Sequence, residues 1–437
     1  MFLEWYTAAV IFFGLLFGLL MIGIPVAFGL LFTAMVGLVM LGEGPKFLFD
    51  VPGYFFYHLN SFTLTCFPLF ILMAMYVEKA GFGGDLFKTM RVLLRRVPGS
   101  LNAVGVASCA VFAAISGTSV GTAAAMGLVA IPEYKKYNYD PTLSVGSIAG
   151  GGALGILIPP SLAMIMYCVV TEQSIGHMFA GGILPGIMIA LVFITYIIIR
   201  CIKNPSLAPA IPPEEIPDIG AVRALLNIIP IILLIVSVLL TIYLGIATPT
   251  EAAGLGCFGG MFLGIAYGRL TPLDILKITF EGTKVVAFII LLLMGGFTFG
   301  HLVVRAGIAV GISDFIVGLG VSKYAVLAMI LGILVLLGCF MEPTPIIVTT
   351  MPIFFPIIMT LGFDPIFFGV LTAMTLETSA ITPPVGFNLF VLRGIGEGYV
   401  TMAQIIRGAA PFVVLYLLCI LIAIMFPSII MFLPGRM

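Results

Sequence analysis

The chain has 437 residues, of which 61% are hydrophobic and only 9% are charged, and its formal net charge is zero. A soluble domain typically has about 25% charged residues, so this composition excludes a soluble globular protein and predicts an all-α membrane protein that crosses the bilayer many times. The balance of 19 basic and 19 acidic residues leaves no basic surface for nucleic acid. At about 20 apolar residues per crossing, the apolar length allows roughly ten spans plus shorter pieces.

The first apolar run covers residues 7–41 and has one break, at Gly23-Ile24-Pro25, which predicts two short spans joined by a tight turn. It lacks the basic start and the small-residue cleavage site of a secretory signal, so we expect it to stay in the membrane. The aromatic-rich segment about 43–60 predicts a helical arm at the membrane interface. A third span follows at about 62–78, and residues 79–96 predict an amphipathic cytoplasmic segment.

The stretch of about 101–132 is nearly chargeless, yet its centre reads Ser116-Gly117-Thr118-Ser119. Basic residues lie on both sides of it, and positive charge marks the cytoplasmic face of a membrane protein. Both ends therefore lie inside, which predicts a re-entrant helical hairpin with a polar tip near mid-membrane. Non-helical backbone at that depth requires cover by protein or a wet cavity. A single kinked spanning helix is the alternative interpretation.

Two adjacent prolines interrupt the next predicted span, at about 142–170, in the run Ile158-Pro159-Pro160-Ser161. Each proline removes an amide donor and clashes with the preceding turn, so we expect a helix broken near its middle. A span at about 180–199 follows. The polar, proline-rich segment 206–222 predicts a cytoplasmic linker between two halves, 1–205 and 223–437.

The second half repeats the first. Five landmarks recur 224 residues later without a gap: Pro132, Asp140, Pro141, Pro159 and Pro160 correspond to Pro356, Asp364, Pro365, Pro383 and Pro384. The second copy is predicted to hold spans at about 225–245, 251–267, 286–303 and 409–432, an interfacial arm at about 268–284, a hairpin at about 324–356 and a broken helix at about 366–392.

The two copies are predicted to be inverted across the membrane. Five spans per copy is an odd number, so the second copy enters from the opposite face. This orientation puts all Lys and Arg residues except Lys46, Arg305, Lys323 and Arg436 on the cytoplasmic side, as the positive-inside rule requires. Both termini are then predicted to be periplasmic.

Inverted repeats with discontinuous helices at mid-membrane are how secondary transporters build ion and substrate sites. Unwound backbone frees carbonyl oxygens for a hard cation such as Na⁺, and helix N-termini favour anions. The predicted sodium ligands are Ser116, Ser119, Gly155, Ile158 and Pro160 in the first copy, and Gly338, Ser379, Thr382 and Val385 in the second. The predicted substrate-binding residues are Gly117, Thr118, Gly152, Glu342, Thr344 and Asn388.

Each of these groups also has a purely structural interpretation. Hydroxyls in membrane helices commonly bond to their own backbone or pack helices together. Carboxylates at membrane depth are costly and point to function, which applies to Glu342 and Glu377. Either could hold a cation, carry a proton or bond substrate hydroxyls, whereas helix capping or packing is the alternative for Glu377. The seven cysteines are scattered and form no CxxC motif, so a cysteine metal site is not expected.

The sequence resembles the large membrane (M) subunit of tripartite ATP-independent periplasmic (TRAP) transporters, of the DctM type in the ion transporter superfamily. The resemblance covers essentially the whole chain. It is carried by the paired hairpins, by Ile-Pro-Pro-Ser in one half and by the Thr-Pro-Pro-Val-Gly-Phe-Asn-Leu-Phe-Val run that begins at Thr382. Related subunits often read Asp-Pro-Thr at the second tip, where this chain has Glu342-Pro343-Thr344.

The resemblance implies sodium coupling and an elevator mechanism, in which a transport domain moves against a scaffold. It also implies three partners: a small four-helix (Q-type) membrane subunit, a periplasmic substrate-binding protein (P-type) and a small organic anion such as a carboxylate, sugar acid or sulfonate. No small-subunit sequence precedes the first span, so that partner is expected to be a separate chain. The implied location is the cytoplasmic (inner) membrane of a bacterium or archaeon.

Three other functions compete with this interpretation. A stand-alone sodium-coupled anion symporter or sodium/proton exchanger could share the repeat and need no binding protein. A passive channel is disfavoured because hairpins that close both ends of a site favour alternating access. An intramembrane enzyme would need a nucleophile and base, or metal ligands, at membrane depth, and the three histidines, at positions 58, 177 and 301, lie near predicted surfaces. We therefore expect no catalytic residues.

Overall fold

The apolar segments of the chain form helices because a backbone surrounded by lipid must satisfy its own hydrogen bonds. The computed structural model describes residues 4–42, 44–212, 221–318 and 320–437, and within those ranges it contains helices and no strand. The helices of the first half are α1 (Trp5–Met21), α2 (Val26–Met40), α3 (Gly44–Leu59), α4 (Cys66–Lys79), α5 (Phe82–Leu93), α6 (Ser100–Ser116), α7 (Ser119–Lys136), α8 (Pro141–Gly152), α9 (Leu162–Thr171) and α10 (Ile175–Lys203).

The second half begins with α11, which follows residues 213–220 of the predicted linker, and those eight residues lie outside the described ranges. Its helices are α11 (Ala221–Tyr243), α12 (Pro249–Ala266), α13 (Pro272–Arg305), α14 (Ile308–Gly318), α15 (Lys323–Gly338), α16 (Pro343–Thr360), α17 (Pro365–Ala380), α18 (Phe387–Ile395), α19 (Met402–Met425) and α20 (Ser428–Met431). Short 3₁₀ helices lie at Phe62–Thr65, Pro205–Leu207 and Pro434–Arg436.

The repeated Asp-Pro pairs start two equivalent helices. Asp140 caps α8 by accepting a hydrogen bond from the Leu143 N–H at 2.8 Å. Asp364 caps α17 by accepting from the Ile366 and Phe367 N–H groups at 2.8 and 3.0 Å. A proline in the first turn suits this position because its missing N–H would have no intrahelical partner there. The Pro159–Pro160 and Pro383–Pro384 bonds after these helices are both cis.

Six of the described helical segments are long and apolar enough to cross a membrane alone, and several other apolar helices have only 10–17 residues. A helix needs about 17–25 residues to span a bilayer, so the short helices cross it in consecutive pairs or enter it part of the way. The chain is an all-α, multi-pass membrane protein.

Helix packing joins the two halves in a reciprocal way. Helices α2, α4, α12 and α13 form one group, called the first body: α2 packs against α13 and α4 packs against α12. The hairpins and broken helices form a second body, in which α7 packs against α18 and α9 packs against α16. Exchanging each helix for its counterpart in the other half reproduces the same four pairs. The hairpins and broken helices are therefore grouped around one centre.

Three features differ from the sequence prediction. The predicted arm at 268–284 is not separate from the span at 286–303, because both belong to the single helix α13 of 34 residues. No proline lies within residues 273–305, Gly282 stays within the helix, and the Thr283 hydroxyl donates to the Thr279 carbonyl of its own helix, so nothing ends the helix there. In addition, α14 was not predicted, and the last span starts at Met402 rather than at about 409.

Candidate functional site

The first hairpin tip is a two-residue turn between α6 and α7. Gly117 has a left-handed backbone, with φ +62°, which a glycine adopts without a steric penalty. Thr118 then caps α7, because its Oγ1 accepts a hydrogen bond from the Gly121 N–H at 3.2 Å. The Ser116 hydroxyl donates to the Thr118 carbonyl at 3.0 Å. Polar groups are thus concentrated at the turn, as the sequence predicts.

The tip lies directly against the break between α8 and α9. The Leu162 N–H donates to the Gly117 carbonyl at 3.2 Å. A Cβ on Gly155 would overlap the Thr118 carbonyl and would lie 2.8 Å from the Ser119 Cα. A Cβ on Gly117 would lie 2.9 Å from the Pro160 carbonyl oxygen. Residues of the unwound segment and of the tip are therefore in backbone contact, and a side chain at residue 155 would separate them.

The second hairpin lies against the last turn of α17, beside the break between α17 and α18. Helix α15 ends at Gly338, and Glu342 precedes α16 without forming a side-chain cap. A Cβ on Gly338 would overlap the Ser379 hydroxyl and lie 2.6 Å from the Ser379 Cβ. The hydroxyls of Ser379 and Thr382 donate to carbonyls of their own helix at 2.6 and 2.7 Å. A hydroxyl oxygen that has donated its hydrogen keeps its lone pairs free for a cation.

A cavity of about 280 Å³ lies between the two tips. Six of the residues predicted for the sites line it: Gly117, Thr118, Ser119, Gly338, Glu342 and Thr344. The body formed by α2, α4, α12 and α13 contributes Phe67 from α4 and Val285 and Ile289 from α13. Sequence reasoning missed these three because they lie in ordinary apolar helices, and only the packing of the two bodies brings them to the cavity.

Four helices begin at this cavity. The first residues of α7, α9, α16 and α18 line it: Ser119, Leu162, Pro343 and Phe387. The N-terminus of a helix carries a partial positive charge and N–H groups without intrahelical acceptors, so four of them together favour an anion. Among the described lining residues, Glu342 is the one with a charged side chain.

The remaining predicted site residues do not line this cavity. The Ser119 hydroxyl donates to the Gly152 carbonyl at 3.3 Å. Asn388 is fully buried and donates from Nδ2 to the Ser119 Oγ at 2.8 Å, so it does not line the cavity to which the sequence assigned it. The Ile158 side chain lines a different, apolar cavity of about 390 Å³ between α6, α10 and α11. Val385 lies in the second break, between α17 and α18.

The described part of the chain brings no three His, Cys, Asp or Glu side chains together at a spacing suited to a metal. The tips and breaks offer a cation hydroxyl and backbone carbonyl oxygens instead.

The sequence matches the family described as "Tripartite ATP-independent periplasmic transporter, DctM component" over residues 13–429. It is 32% identical to the C4-dicarboxylate TRAP transporter large permease protein of Pseudomonas aeruginosa, over 86% of this chain and 87% of that one. It is 28% identical to the sialic acid TRAP transporter large permease protein of Vibrio cholerae, over 95% of this chain and 96% of that one. The solved structure of the Alcanivorax borkumensis YdaH transporter has the same fold, with a TM-score of 0.63 at 15% identity over 89% and 90% of the two chains.

Proposed function

The chain belongs to the DctM family of tripartite ATP-independent periplasmic transporters, and we propose that it is the membrane subunit of a sodium-coupled importer of a small organic anion. The anion is delivered by a periplasmic substrate-binding protein, and a small four-helix membrane subunit completes the complex in the inner membrane. Relatives are named for transport of C4-dicarboxylate, isethionate, sialic acid and ectoine. These names favour a carboxylate, sugar acid or sulfonate as the substrate.

The cavity between the hairpin tips supports the anionic substrate most directly. The starts of four helices face it, and its described lining contains no Lys, Arg or His. An anion bound there would be held by N–H groups and helix dipoles, without a basic side chain to pair with. The Glu342 carboxylate would repel a carboxylate of the substrate that came close to it. We therefore propose that Glu342 accepts a hydrogen bond from a hydroxyl or ammonium group of the substrate. Gly117, Thr118, Gly152 and Thr344 are proposed to shape the substrate site.

Two sodium sites flank this cavity in the proposal. The first uses the hydroxyls of Ser116 and Ser119 with carbonyls near Gly155, Ile158 and Pro160. The second uses Gly338, Ser379, Thr382 and Val385. In support, the first tip touches its break, and the second hairpin touches the last turn of α17 beside its break, closely enough that one added methyl group would collide. A hard cation needs several oxygens at once, and such a contact brings them together. Bound sodium would also offset the negative charge of the substrate.

The reciprocal helix pairs support an elevator mechanism on inverted repeats. Hairpins and broken helices from both halves form one body, and α2, α4, α12 and α13 form another. The cavity has walls from both bodies, so sliding of one against the other would change which side of the membrane reaches the substrate. An odd number of crossings in each half would make the repeats inverted and put both termini on the same side of the membrane, and the positive-inside rule makes that side the periplasm.

Uptake by the complete complex in proteoliposomes tests the proposal. An inward sodium gradient is expected to drive accumulation of the substrate. Ser119→Ala and Thr382→Val are each expected to reduce the rate of sodium-driven uptake at least tenfold. Ser108→Ala is the control for Ser119→Ala, because Ser108 is a fully buried hydroxyl on α6, the other helix of the hairpin, and lies more than two turns from the tip. Uptake by Ser119→Ala and Thr382→Val equal to that of the control would contradict the sodium sites.

Omitting the binding protein separates the proposal from a stand-alone symporter or exchanger. The proposed importer is expected to lose uptake without it. Undiminished uptake by the membrane subunits alone would favour the stand-alone alternative, and proton movement in place of substrate uptake would favour the exchanger.

A further inference from the structure

Glu377 is a carboxylate buried without a counter-charge. It lies in the last turn of α17, and its side chain is 0% exposed. One carboxylate oxygen, Oε1, accepts a hydrogen bond from the Ile156 N–H in the first break at 2.6 Å. The other, Oε2, has no hydrogen-bond partner. Within the described ranges no Lys, Arg or His forms an ion pair with Glu377. A buried negative charge in this state is unfavourable unless a cation joins it.

A second unpartnered oxygen lies in the same place. Asn388 is fully buried and donates from Nδ2 to the Ser119 hydroxyl, but its Oδ1 has no partner. The Ser119 hydroxyl also lies near the Glu377 carboxyl and donates to the Gly152 carbonyl. Two oxygens that lack donors therefore adjoin one hydroxyl at the first hairpin tip, and buried polar atoms without partners are rare unless a ligand meets them.

The repeat shows that the fold does not require this pair. The residues 224 positions earlier in the chain are Ala153 for Glu377 and Met164 for Asn388. Both are fully buried, at 0% exposure, so the same local arrangement forms in the other half with apolar side chains alone. The fold therefore does not require the carboxylate and the amide at these positions, which favours a role in binding.

We propose that Glu377 and Asn388 complete the cation site of the first hairpin tip. Glu377 supplies the negative charge and Asn388 Oδ1 supplies a neutral oxygen, in addition to Ser119. This inference rests on the proposed sodium coupling and deepens it. The second site has no fully buried carboxylate among the described residues, so the two sites are unequal, and the first site binds sodium more tightly and fills before the second.

Thermal unfolding of the full chain in lipid nanodiscs tests the inference, with NaCl titrated against choline chloride at constant ionic strength. Glu377→Gln keeps an acceptor for the Ile156 N–H but removes the charge. Loss of an opposite charge within about 8 Å, at an effective permittivity of about 20, predicts an apparent sodium affinity at least about 30-fold weaker. That factor corresponds to about 2 kcal/mol. In choline the variant is expected to be at least as stable as wild type, since it no longer buries an unpaired charge.

Two further variants make the result specific. Adding Asn388→Asp to Glu377→Gln returns a carboxylate to the neighbouring position and is expected to restore most of the sodium affinity. Thr372→Val is the matched control, because Thr372 is also fully buried on α17 and its hydroxyl also lacks a partner. It is expected to leave the sodium response unchanged.

Each outcome has a distinct meaning. If Glu377→Gln lowers stability equally in both salts, or leaves the sodium midpoint unchanged while sodium still stabilises wild type, Glu377 is structural and the inference is wrong. If sodium fails to stabilise wild type at all, the sodium coupling of the proposed function fails as well. A variant that unfolds in choline would show that the carboxylate is needed for folding without sodium, and would also contradict the inference.

Discussion

Gly338→Ala places one methyl group between the second hairpin tip and the helix break that it touches. The new Cβ would overlap the Ser379 hydroxyl, which can rotate, and would lie 2.6 Å from the Ser379 Cβ, which cannot move without its helix. Nonbonded carbon atoms prefer about 3.5–4.0 Å, so α15 and α17 must separate by about 1 Å. The substitution therefore tests whether close contact between tip and break is needed for transport.

Two effects set the size of the change. Overpacking a well-packed interior costs about 1–3 kcal/mol, and replacing glycine by alanine in a helix returns roughly 0.5–1 kcal/mol. A net loss of about 1–2 kcal/mol in folding free energy is expected. The functional loss is expected to be larger, because a displacement of about 1 Å at a site that needs fixed geometry costs on the order of 100-fold in rate.

Sodium-driven uptake in proteoliposomes, with thermal unfolding of the same preparations, measures both quantities. Gly332→Ala is the control on the same helix, because a Cβ there meets no atom within 4 Å. The control is expected to match or slightly exceed wild-type stability and to transport normally. If Gly338→Ala behaves like Gly332→Ala in both assays, the reasoning from tip–break contact is refuted.

Three other predictions follow from the site and the topology. Gly155→Ala is expected to reduce sodium-dependent uptake on the order of 100-fold, since its Cβ would collide with the Thr118 carbonyl of the first tip; normal uptake would disprove the first sodium site as drawn. Glu342→Gln is expected to raise the KM for substrate about tenfold or more while sodium still stabilises the protein, which fits loss of a charged hydrogen bond; an unchanged KM would remove Glu342 from the substrate site. A cysteine that replaces the exposed Lys135 is expected to react with an impermeant thiol reagent only from the cytoplasm, and one that replaces the exposed Thr360 only from the periplasm. The seven native cysteines are buried, so we expect them to give little background labelling.

The positions of the helix breaks could be read from the sequence because they depend on local chemistry. A Gly-Thr turn followed by a capping hydroxyl, an Asp-Pro start and a Pro-Pro pair each act through the backbone of a few adjacent residues. The structure accordingly has a turn at Gly117 and Thr118, helix starts at Pro141 and Pro365, and unwound segments at 153–161 and 381–386. Apolar composition was equally sufficient to identify a multi-pass helical membrane protein.

The contacts that define the site could not be read in the same way. Ser119 meets Asn388 and Ile156 meets Glu377, pairs that are 269 and 221 residues apart. Sequence periodicity reports the face of one helix and carries no information on which helix lies opposite. The sequence therefore placed Asn388 at the substrate cavity, whereas the structure buries it behind the first tip.

Each half has one glycine where its hairpin meets its broken helix, but on opposite sides of the contact. Residue 155 in the first break is equivalent by the 224-residue offset to residue 379 in the last turn of α17, whereas Gly338 is equivalent to Ala114 and not to Thr118. In the first half the break supplies the glycine, and the Thr118 carbonyl of the tip lies against it. In the second half the hairpin supplies the glycine, Gly338, and Ser379 in the last turn of α17 lies against it. One glycine is enough for close approach in each half, but the residues that meet are not related by the repeat, so the duplicated landmarks predict that tip and break lie near each other without predicting which atoms touch.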